Sequence, residues 1–234
     1  MAEGQIIVTG GSKGIGLAIT EELVARGRDV VSLSRTGEGP VGRHKACDMT
    51  DEAAVRRVMS EIAAEGPVAG LVNNAGVHIL GSAAALSVAD FERTIALNMT
   101  AVMVASREVF SHLETNGGTI VNIGSFFDKI GVRDNLAYCA SKAAVAAMTR
   151  VWAVEWARHG ISVVNVAPGY IETDLNREYL QREKVATWMK SRIPVGGPGK
   201  AADVARLVAA IMTETIPFLT GETIYIDGAQ GINH

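Results

Sequence analysis

Residues 5–24 decide the fold of this chain, and they read QIIVTGGSKGIGLAITEELV. The segment from Gln5 to Thr9 predicts a buried strand, because residues 6–9 are all β-branched. Glycines then cluster between Gly10 and Gly16, and residues 17–24 carry apolar side chains at helical spacing. The stretch therefore predicts a strand, a glycine-rich turn and a helix, in that order.

A turn of this kind can bind a pyrophosphate. Glycines let the backbone approach the phosphates closely, and the free N–H groups and positive dipole end of the helix attract the negative charge. The spacing is Thr-Gly-x-x-x-Gly-x-Gly, which differs from the commoner G-x-G-x-x-G fingerprint of dinucleotide binding. The alternative is a glycine-rich connection in some other α/β protein. The candidate contacts are Gly10, Ser12, Lys13, Gly14, Ile15 and Gly16.

Strand-like and helical segments alternate along the rest of the chain. The further predicted strands are Asp29–Ser34, His44–Asp48, Val68–Val72, Thr119–Gly124, Ile161–Ala167 and Glu222–Asp227. The predicted helices are 51–65 with Thr50 as its cap, 87–113 opening on a Ser87 capping box, a long run from Ala137, and 201–213. The alternation predicts one α/β domain over residues 1–234: a Rossmann-type, doubly wound parallel sheet of about seven strands with helices on both faces.

Composition narrows the class of protein. The chain has 234 residues, 48% of them hydrophobic, with a net charge of −3, which describes a compact soluble protein. Nucleic acid is disfavoured as a partner because Lys and Arg are not in excess, and we expect no membrane span because no apolar run is long enough. The two cysteines, Cys47 and Cys139, lack disulfide or metal spacing, so we expect a cytoplasmic protein with reduced thiols.

Tyr138 and Lys142 lie four residues apart in the long predicted helix and therefore share one face. A phenol normally releases its proton near pH 10, too high for acid–base work at neutral pH. A lysine ammonium one turn away would lower the tyrosine pKa by stabilising the phenolate. Taken alone, the pair is better explained by an ordinary helix whose Tyr and Lys share a face, and it gains weight only from the other motifs.

The end of the second strand predicts the form of a dinucleotide cofactor. An acidic residue there would bind a free ribose 2′-hydroxyl, whereas a 2′-phosphate requires positive charge. This chain has Ser34-Arg35, and Lys13 in the glycine turn can approach the same group. The pattern favours NADP(H), with NAD(H) still possible, although both cations would also suit an ordinary solvated surface.

Other polar or small residues also follow predicted strands, at the carboxyl ends where parallel sheets bind ligands. Asp48, with Met49, should lie beside the adenine, and Asn73-Asn74-Ala75-Gly76 leaves room for a cofactor. Asn98 lies inside an apolar helical stretch and needs hydrogen-bond partners if it is buried. The remaining candidates at strand ends are Ser125, Pro168, Gly169, Ile171 and Thr173.

Two other kinds of site are disfavoured. The five histidines, His44, His78, His112, His159 and His234, are scattered without ligand spacing, so we predict no metal site. A serine hydrolase is disfavoured because no G-x-S-x-G elbow occurs and no histidine is placed to activate Ser125.

Taken together, these motifs resemble those of the short-chain dehydrogenase/reductase family over essentially the whole chain. The matching elements are Thr9-Gly10-x-x-x-Gly14-x-Gly16, Asp48, Asn73 to Gly76, Asn98, Ser125, Tyr138-x-x-x-Lys142, Pro168-Gly169 and Thr173. The Ser34-Arg35 pair is similar to the pair that NADP(H)-preferring members carry after the second strand.

The resemblance implies a role for each matching residue. It makes Tyr138 the general acid/base, Ser125 the holder of the substrate oxygen, and Lys142 a ligand of the nicotinamide ribose that also lowers the tyrosine pKa. It further implies that Asn98 supports a water in a proton relay, that Thr173 lies near the nicotinamide carboxamide, and that the chain forms a homotetramer, or a dimer, through its long helices and C-terminal strand.

The segment 174–198 is rich in charges with interspersed apolar residues, including Leu175, and is a candidate substrate lid or a plain surface hairpin. Phe126, Phe127, Tyr170 and Trp188 predict an apolar pocket for a small-molecule substrate, or packing beneath the lid.

The predicted activity is hydride transfer between NADP(H) and a carbonyl or secondary alcohol. The alternatives are a 3-oxoacyl-[acyl-carrier-protein] reductase and a non-catalytic nicotinamide-binding sensor.

Overall fold

The computed structural model describes residues 4–174, 176–214 and 216–233. Its strands are β1 Gln5–Thr9, β2 Val30–Ser34, β3 Arg43–Ala46, β4 Val68–Asn73, β5 Gly118–Ile123, β6 Ile161–Pro168, β7 Ile171–Glu172, β8 Gly199–Lys200 and β9 Thr223–Ile226. Its α-helices are α1 Gly14–Ala25, α2 Glu52–Glu65, α3 Val88–Ile95, α4 Ala101–Leu113, α5 Leu136–Trp156, α6 Arg177–Leu180, α7 Glu183–Arg192 and α8 Ala201–Thr213.

Seven of these strands form one parallel sheet, in the order β3-β2-β1-β4-β5-β6-β9. The predicted fold class is confirmed. One apolar cluster packs α2, α4 and α5 on one face of the sheet, and a second packs α1 and α8 on the other. The strand order reverses at β1 and β4, so a cleft opens between their carboxyl ends. No helix among the described residues is long and apolar enough to cross a bilayer.

Buried asparagines join the central strands just before they end. Asn73 on β4 pairs in register with Asn122 on β5, and its Nδ2 donates to Asn122 Oδ1 over 2.8 Å. Asn122 in turn donates to Thr149 on α5 over 2.9 Å. Because buried polar groups need partners, this chain of hydrogen bonds fixes β4, β5 and α5 relative to one another.

The ends of β1 and β4 are linked directly. The Asn74 Nδ2 atom donates to the carbonyl oxygens of Thr9 over 3.0 Å and Gly10 over 3.1 Å. The Thr9 hydroxyl accepts from the backbone N–H groups of Asn74 and Ala75, each over 3.0 Å. The Asn-Asn-Ala-Gly segment therefore braces the glycine turn, as its amides predict.

Two predicted boundaries around β3 are wrong. The strand ends at Ala46, two residues before the predicted Asp48, because the Asp48 carboxylate turns back to accept from the backbone N–H of Thr50 over 2.9 Å. Thr50 does not cap α2, since its hydroxyl donates to the same carboxylate over 2.7 Å. Asp51 is the cap, and its side chain accepts from the backbone N–H of Ala54.

The predicted helix over 87–113 begins as expected, with Ser87 capping α3, but a five-residue π-helical turn at Ala96–Thr100 separates α3 from α4. Such turns are rare and concentrate at functional sites. Here the turn contains Asn98, whose side chain is fully buried.

The segment predicted as a lid forms two short helices, α6 and α7. Leu180, Met189 and Ile193 make a small apolar cluster of their own, with Tyr170 and Val185 against it. Leu175 lies outside the described residues. A segment with a small core of its own can move separately from the rest of the domain. The role of this segment as a lid stays a prediction.

Gly16 should not tolerate a side chain. An added Cβ would lie 2.2 Å from the Gly10 carbonyl oxygen and 2.3 Å from Asn74 Nδ2, inside the brace between β1 and β4. We expect Gly16→Ala to lower the free energy of unfolding by about 1–3 kcal/mol, because the backbone must shift to relieve the overlap. Urea unfolding measures this change. Gly131→Ala is the matched control, since its Cβ would have no described atom within 4 Å, and an equal loss in both variants would contradict the prediction.

Candidate active site

The carboxyl edge of the sheet collects most of the predicted cofactor residues. The turn after β1 supplies Gly10, Ser12, Lys13, Gly14, Ile15 and Gly16; the segments after β2 and β3 supply Ser34, Arg35 and Asp48; the segment after β4 supplies Asn74, Ala75 and Gly76; and β6 and its continuation supply Pro168, Gly169 and Thr173.

The glycine turn has the geometry of an anion cradle. Gly10 and Gly14 have positive φ angles of 66° and 57°, a backbone conformation that favours glycine. Lys13 is the N-terminal cap residue of α1, and no described side chain caps the helix there. The first N–H groups of α1 therefore remain available to an anion at the positive end of the helix dipole.

The segments after β2 and β3 meet beside this turn. The Ser34 hydroxyl accepts from the backbone N–H of Gly37 over 3.0 Å, which shapes the short loop after the strand. Asp48 has a lowered pKa, chiefly because Thr50 donates to it and to a lesser extent because the Arg35 guanidinium is near. The structure thus brings Arg35, which is exposed, close to Asp48.

Two predicted contact residues lie in the core. Met49 is 6% exposed and packs in the cluster on the α2 face, while Ile171 is 8% exposed and packs in the cluster on the α1 face. The side chains of both residues are therefore taken up by core packing. Thr173 lies near the glycine turn, since a Cβ added to Gly14 would be 3.7 Å from its Cγ2 atom.

Tyr138 lies in the first turns of α5 with its hydroxyl near that of Ser125, which follows β5. Burial raises the pKa of Tyr138 to about 12, and the nearby Ser125 hydroxyl lowers it only in part. The Ser125 hydroxyl also accepts from the backbone N–H of Phe127 over 3.3 Å, so its oxygen is held in place. The structure therefore brings the two predicted catalytic hydroxyl groups together.

Lys142 lies one helical turn further along α5, and its Nζ donates to the Ile123 carbonyl oxygen over 2.7 Å. Nζ is 5.6 Å from the centre of the Tyr138 ring. Burial lowers the pKa of Lys142 to about 8. Burial is the largest cause of the shift at both groups. The lowering of the tyrosine pKa by Lys142 stays a prediction.

Asn98 secures the segment after β4. Its Oδ1 accepts from the Val77 backbone N–H and its Nδ2 donates to the Val77 carbonyl, both over 2.8 Å. The Nδ2 atom also contacts the Ser141 hydroxyl over 3.3 Å. Both N–H groups of the amide thus donate to protein atoms. A relay water would therefore bind Asn98 through one of its carbonyl oxygens.

The predicted pocket residues form a continuous aromatic cluster. Phe127 contacts Tyr138 edge to face at 5.9 Å between ring centres and Tyr170 at 6.1 Å. Tyr170 also contacts Phe126 at 5.5 Å and Trp188 of α7 at 5.7 Å. Phe126 and Phe127 are 2% and 5% exposed, whereas Trp188 is 44% exposed. The two phenylalanines pack beneath Tyr170, and Trp188 lies at the open end of the cluster.

Sequence reasoning missed His78, which the structure places against the candidate catalytic tyrosine. Its ring centre is 4.5 Å from that of Tyr138, and its Nε2 is hydrogen-bonded to Asn135 Oδ1. The signal in the sequence was the polar ring of His78 between two apolar residues, Val77 and Ile79, just after Gly76.

Comparison with known proteins identifies the family of this chain. The family model described as short chain dehydrogenase matches residues 5–184. The chain belongs to the short-chain dehydrogenase family. Members of this family are oxidoreductases that use a nicotinamide cofactor.

Curated relatives cover nearly all of this short-chain dehydrogenase. It is 35% identical to the 3-oxoacyl-[acyl-carrier-protein] reductase MabA of Mycobacterium tuberculosis, over 98% of this chain and 93% of the relative. It is 33% identical to the glucose 1-dehydrogenase of Gluconobacter oxydans, over 96% and 90% of the two chains. The relatives therefore include both acyl-thioester reductases and sugar dehydrogenases.

Solved structures are similar in fold over the same length. A gluconate 5-dehydrogenase from Burkholderia cenocepacia, in complex with NADP and tartrate, has a TM-score of 0.93 and 27% identity, covering 100% of this chain and 97% of that one. The aldohexose dehydrogenase of Thermoplasma acidophilum has a TM-score of 0.91 and 31% identity, covering 99% and 95%.

The lowered pKa of Lys142 predicts a specific pH dependence of stability. Between about pH 8 and the ordinary lysine value of 10.5 the unfolded chain binds this proton more strongly than the folded protein, so stability rises with pH. We expect the free energy of unfolding of the wild type, relative to Lys142→Met, to rise by about 2–3 kcal/mol from pH 7 to pH 10. Urea unfolding of both proteins tests this, and parallel pH curves would contradict it.

Proposed function

We propose that this short-chain dehydrogenase interconverts a ketone and a secondary alcohol with NADP(H), using Tyr138 as its general acid/base. The observation that carries the proposal is the placement of the Ser125 hydroxyl near that of Tyr138, with Lys142 buried one helical turn away and bonded to the end of β5. A sensor that only binds a nicotinamide has no need of this arrangement, so a catalytic role is favoured over a sensor.

The residues at the carboxyl edge fit a dinucleotide. The uncapped N-terminus of α1 and the positive-φ glycines Gly10 and Gly14 suit a pyrophosphate, and a Cβ at Gly16 would fill this cradle. Arg35 and Lys13 are exposed and would hold a ribose 2′-phosphate. Lys142 would hold the nicotinamide ribose, and Thr173 the carboxamide. The bound nicotinamide supplies or accepts the hydride.

Side chains of the protein transfer the proton. In the reductive direction the hydroxyl groups of Ser125 and Tyr138 donate to the carbonyl oxygen, where negative charge develops. With a pKa of about 12 the phenol of Tyr138 is a weak acid that keeps its proton at neutral pH, so it delivers the proton as negative charge develops on the carbonyl oxygen. The pKa of Lys142, at about 8, lies near neutral pH, so its amino group can pass on a proton to recharge the phenol.

A second activity is favoured by the relatives. Reduction of a 3-oxoacyl group on acyl carrier protein uses the same proton and hydride chemistry, and the reductase MabA is 35% identical to this chain over 98% of its length. The aromatic cluster from Phe127 to Trp188 would accommodate an acyl chain.

We further propose a cytoplasmic homotetramer, or a dimer, built through the long helices and β9. On α5, the apolar side chains of Val151 and Val154 are 53% and 82% exposed, which suits a helix face that a second subunit covers.

Replacing the candidate acid should stop catalysis and spare binding. We expect Tyr138→Phe to lower kcat by about 10²–10⁴-fold, because the proton donor is lost while the ring remains. Turnover is followed by NADPH absorbance with a panel of ketones, and NADPH binding by fluorescence. Tyr179→Phe is the control, since this tyrosine is 55% exposed on α6. Full activity of Tyr138→Phe would refute the assignment.

Replacing Arg35 should separate the two cofactors. We expect Arg35→Ala to weaken NADPH binding by about 10- to 100-fold, the value of a hydrogen-bonded charge pair, with little effect on NADH. Titration of protein fluorescence gives both dissociation constants. Arg206→Ala on α8, whose guanidinium pairs with Asp203, is the control. Equal weakening of the two cofactors by Arg35→Ala would remove the case for NADP(H).

A further inference from the structure

The imidazole of His78 lies where a substrate next to Tyr138 would meet it. Its ring centre is 4.5 Å from that of Tyr138 at an angle of 42°, and 6.4 Å from that of Phe127. His78 is exposed, whereas Phe127 is buried. The space beside the phenol therefore has an apolar wall and, near it, one exposed polar ring.

The backbone on either side of His78 is fixed. Val77 is held through both its N–H and its carbonyl by the buried side chain of Asn98. Three residues after His78, the Gly81 N–H donates to the Asp134 carbonyl over 2.9 Å. The ring is thus held in place before any substrate arrives, which is a property of residues that select substrates.

The hydrogen bonds around Asn135 decide which nitrogen of His78 carries the proton. Asn135 is 5% exposed, and its Nδ2 donates to the Arg133 carbonyl oxygen over 2.7 Å. Its Oδ1 is therefore the atom that faces His78 Nε2, and Nε2 must donate to it. In the neutral ring this leaves Nδ1 as a hydrogen-bond acceptor, and Nδ1 bonds to no described residue.

We propose that His78 selects substrates with a hydroxyl group on the carbon next to the reacting carbonyl carbon, by accepting a hydrogen bond from that hydroxyl at Nδ1. This inference rests on the proposed function, in which Ser125 and Tyr138 hold the carbonyl oxygen. A hydroxyl on the adjacent carbon lies beside that oxygen and so falls next to the ring against Tyr138. Since Nδ1 of the neutral ring can only accept, a carboxylate, an ether or a thioester carbonyl at this place would leave it without a partner.

Matched pairs of ketones test the proposal. Acetoin is compared with 2-butanone, and 2-hydroxyacetophenone with acetophenone, with NADPH and NADH. The quantity measured is the ratio of kcat/KM for the hydroxyketone to that for the plain ketone. We expect a ratio of about 3 to 10 in the wild type, the value of one hydrogen bond to a partly exposed acceptor.

Three variants show whether Nδ1 is responsible. His78→Phe keeps a ring against Tyr138 and removes the acceptor, so its ratio should fall to about 1. His78→Asn places an amide oxygen at the position of Nδ1, two bonds from Cβ, and should keep most of the ratio. His159→Phe is the control, because His159 contacts Phe110 far from Tyr138, and its ratio should equal that of the wild type.

The outcomes separate this inference from the proposed function. A wild-type ratio near 1, or a His78→Phe variant that keeps the wild-type ratio or lowers both rates alike, overturns the role of His78 and leaves the proposed function standing. Cofactor-dependent turnover of none of the four ketones overturns both. If His78→Phe does not fold, as judged by circular dichroism, His78→Ala is tested against the same outcomes.

Discussion

The structure depends on the contact that the buried Lys142 makes with the end of β5. A lysine amino group away from water needs a partner, and the Ile123 carbonyl oxygen, 2.7 Å from Nζ, is that partner. Ile123 is the last residue of β5, and Ser125 lies two residues further on. One hydrogen bond therefore ties the α5 helix to the strand end that carries the serine, and this tie sets Tyr138 against Ser125.

The other half of the cleft is built on the same principle. The end of β1 and the segment after β4 satisfy one another through Thr9 and Asn74, and the segment after Asn74 is then held by Asn98 from the π-helical turn. Each of these side chains is an amide or hydroxyl that pairs with backbone groups which regular strand pairing leaves free. The polar residues at the strand ends thus brace the edge of the sheet and give its backbone groups partners.

The electrostatics of the site follow from burial. The pKa of Tyr138 is raised to about 12 and that of Lys142 is lowered to about 8, because loss of water disfavours the charged form of each group. A neutral phenol beside an amino group that titrates near neutral pH suits proton delivery in the direction of carbonyl reduction.

Short-range patterns in the sequence predicted much of this protein. The β-branched run before Gly10, the alternation of strands and helices and the four-residue spacing of Tyr138 and Lys142 predicted the sheet and the shared helix face, because these properties depend on neighbours along the chain. The predictions of the cap at Thr50 and of the end of β3 were wrong because the Asp48 carboxylate accepts from both the backbone N–H and the hydroxyl of Thr50, which leaves Asp51 to cap α2.

Only the tertiary structure decided which side chains meet across the cleft. Met49 and Ile171 lie in the core, the Asn98 side chain holds the backbone of Val77, and His78 lies against Tyr138, 60 residues further along the chain. Burial, which sets the pKa values of Tyr138 and Lys142, is also a property of the packed molecule. A linear pattern carries no information on how much water each group loses when the helices close over the sheet, and that loss sets the chemistry of the site.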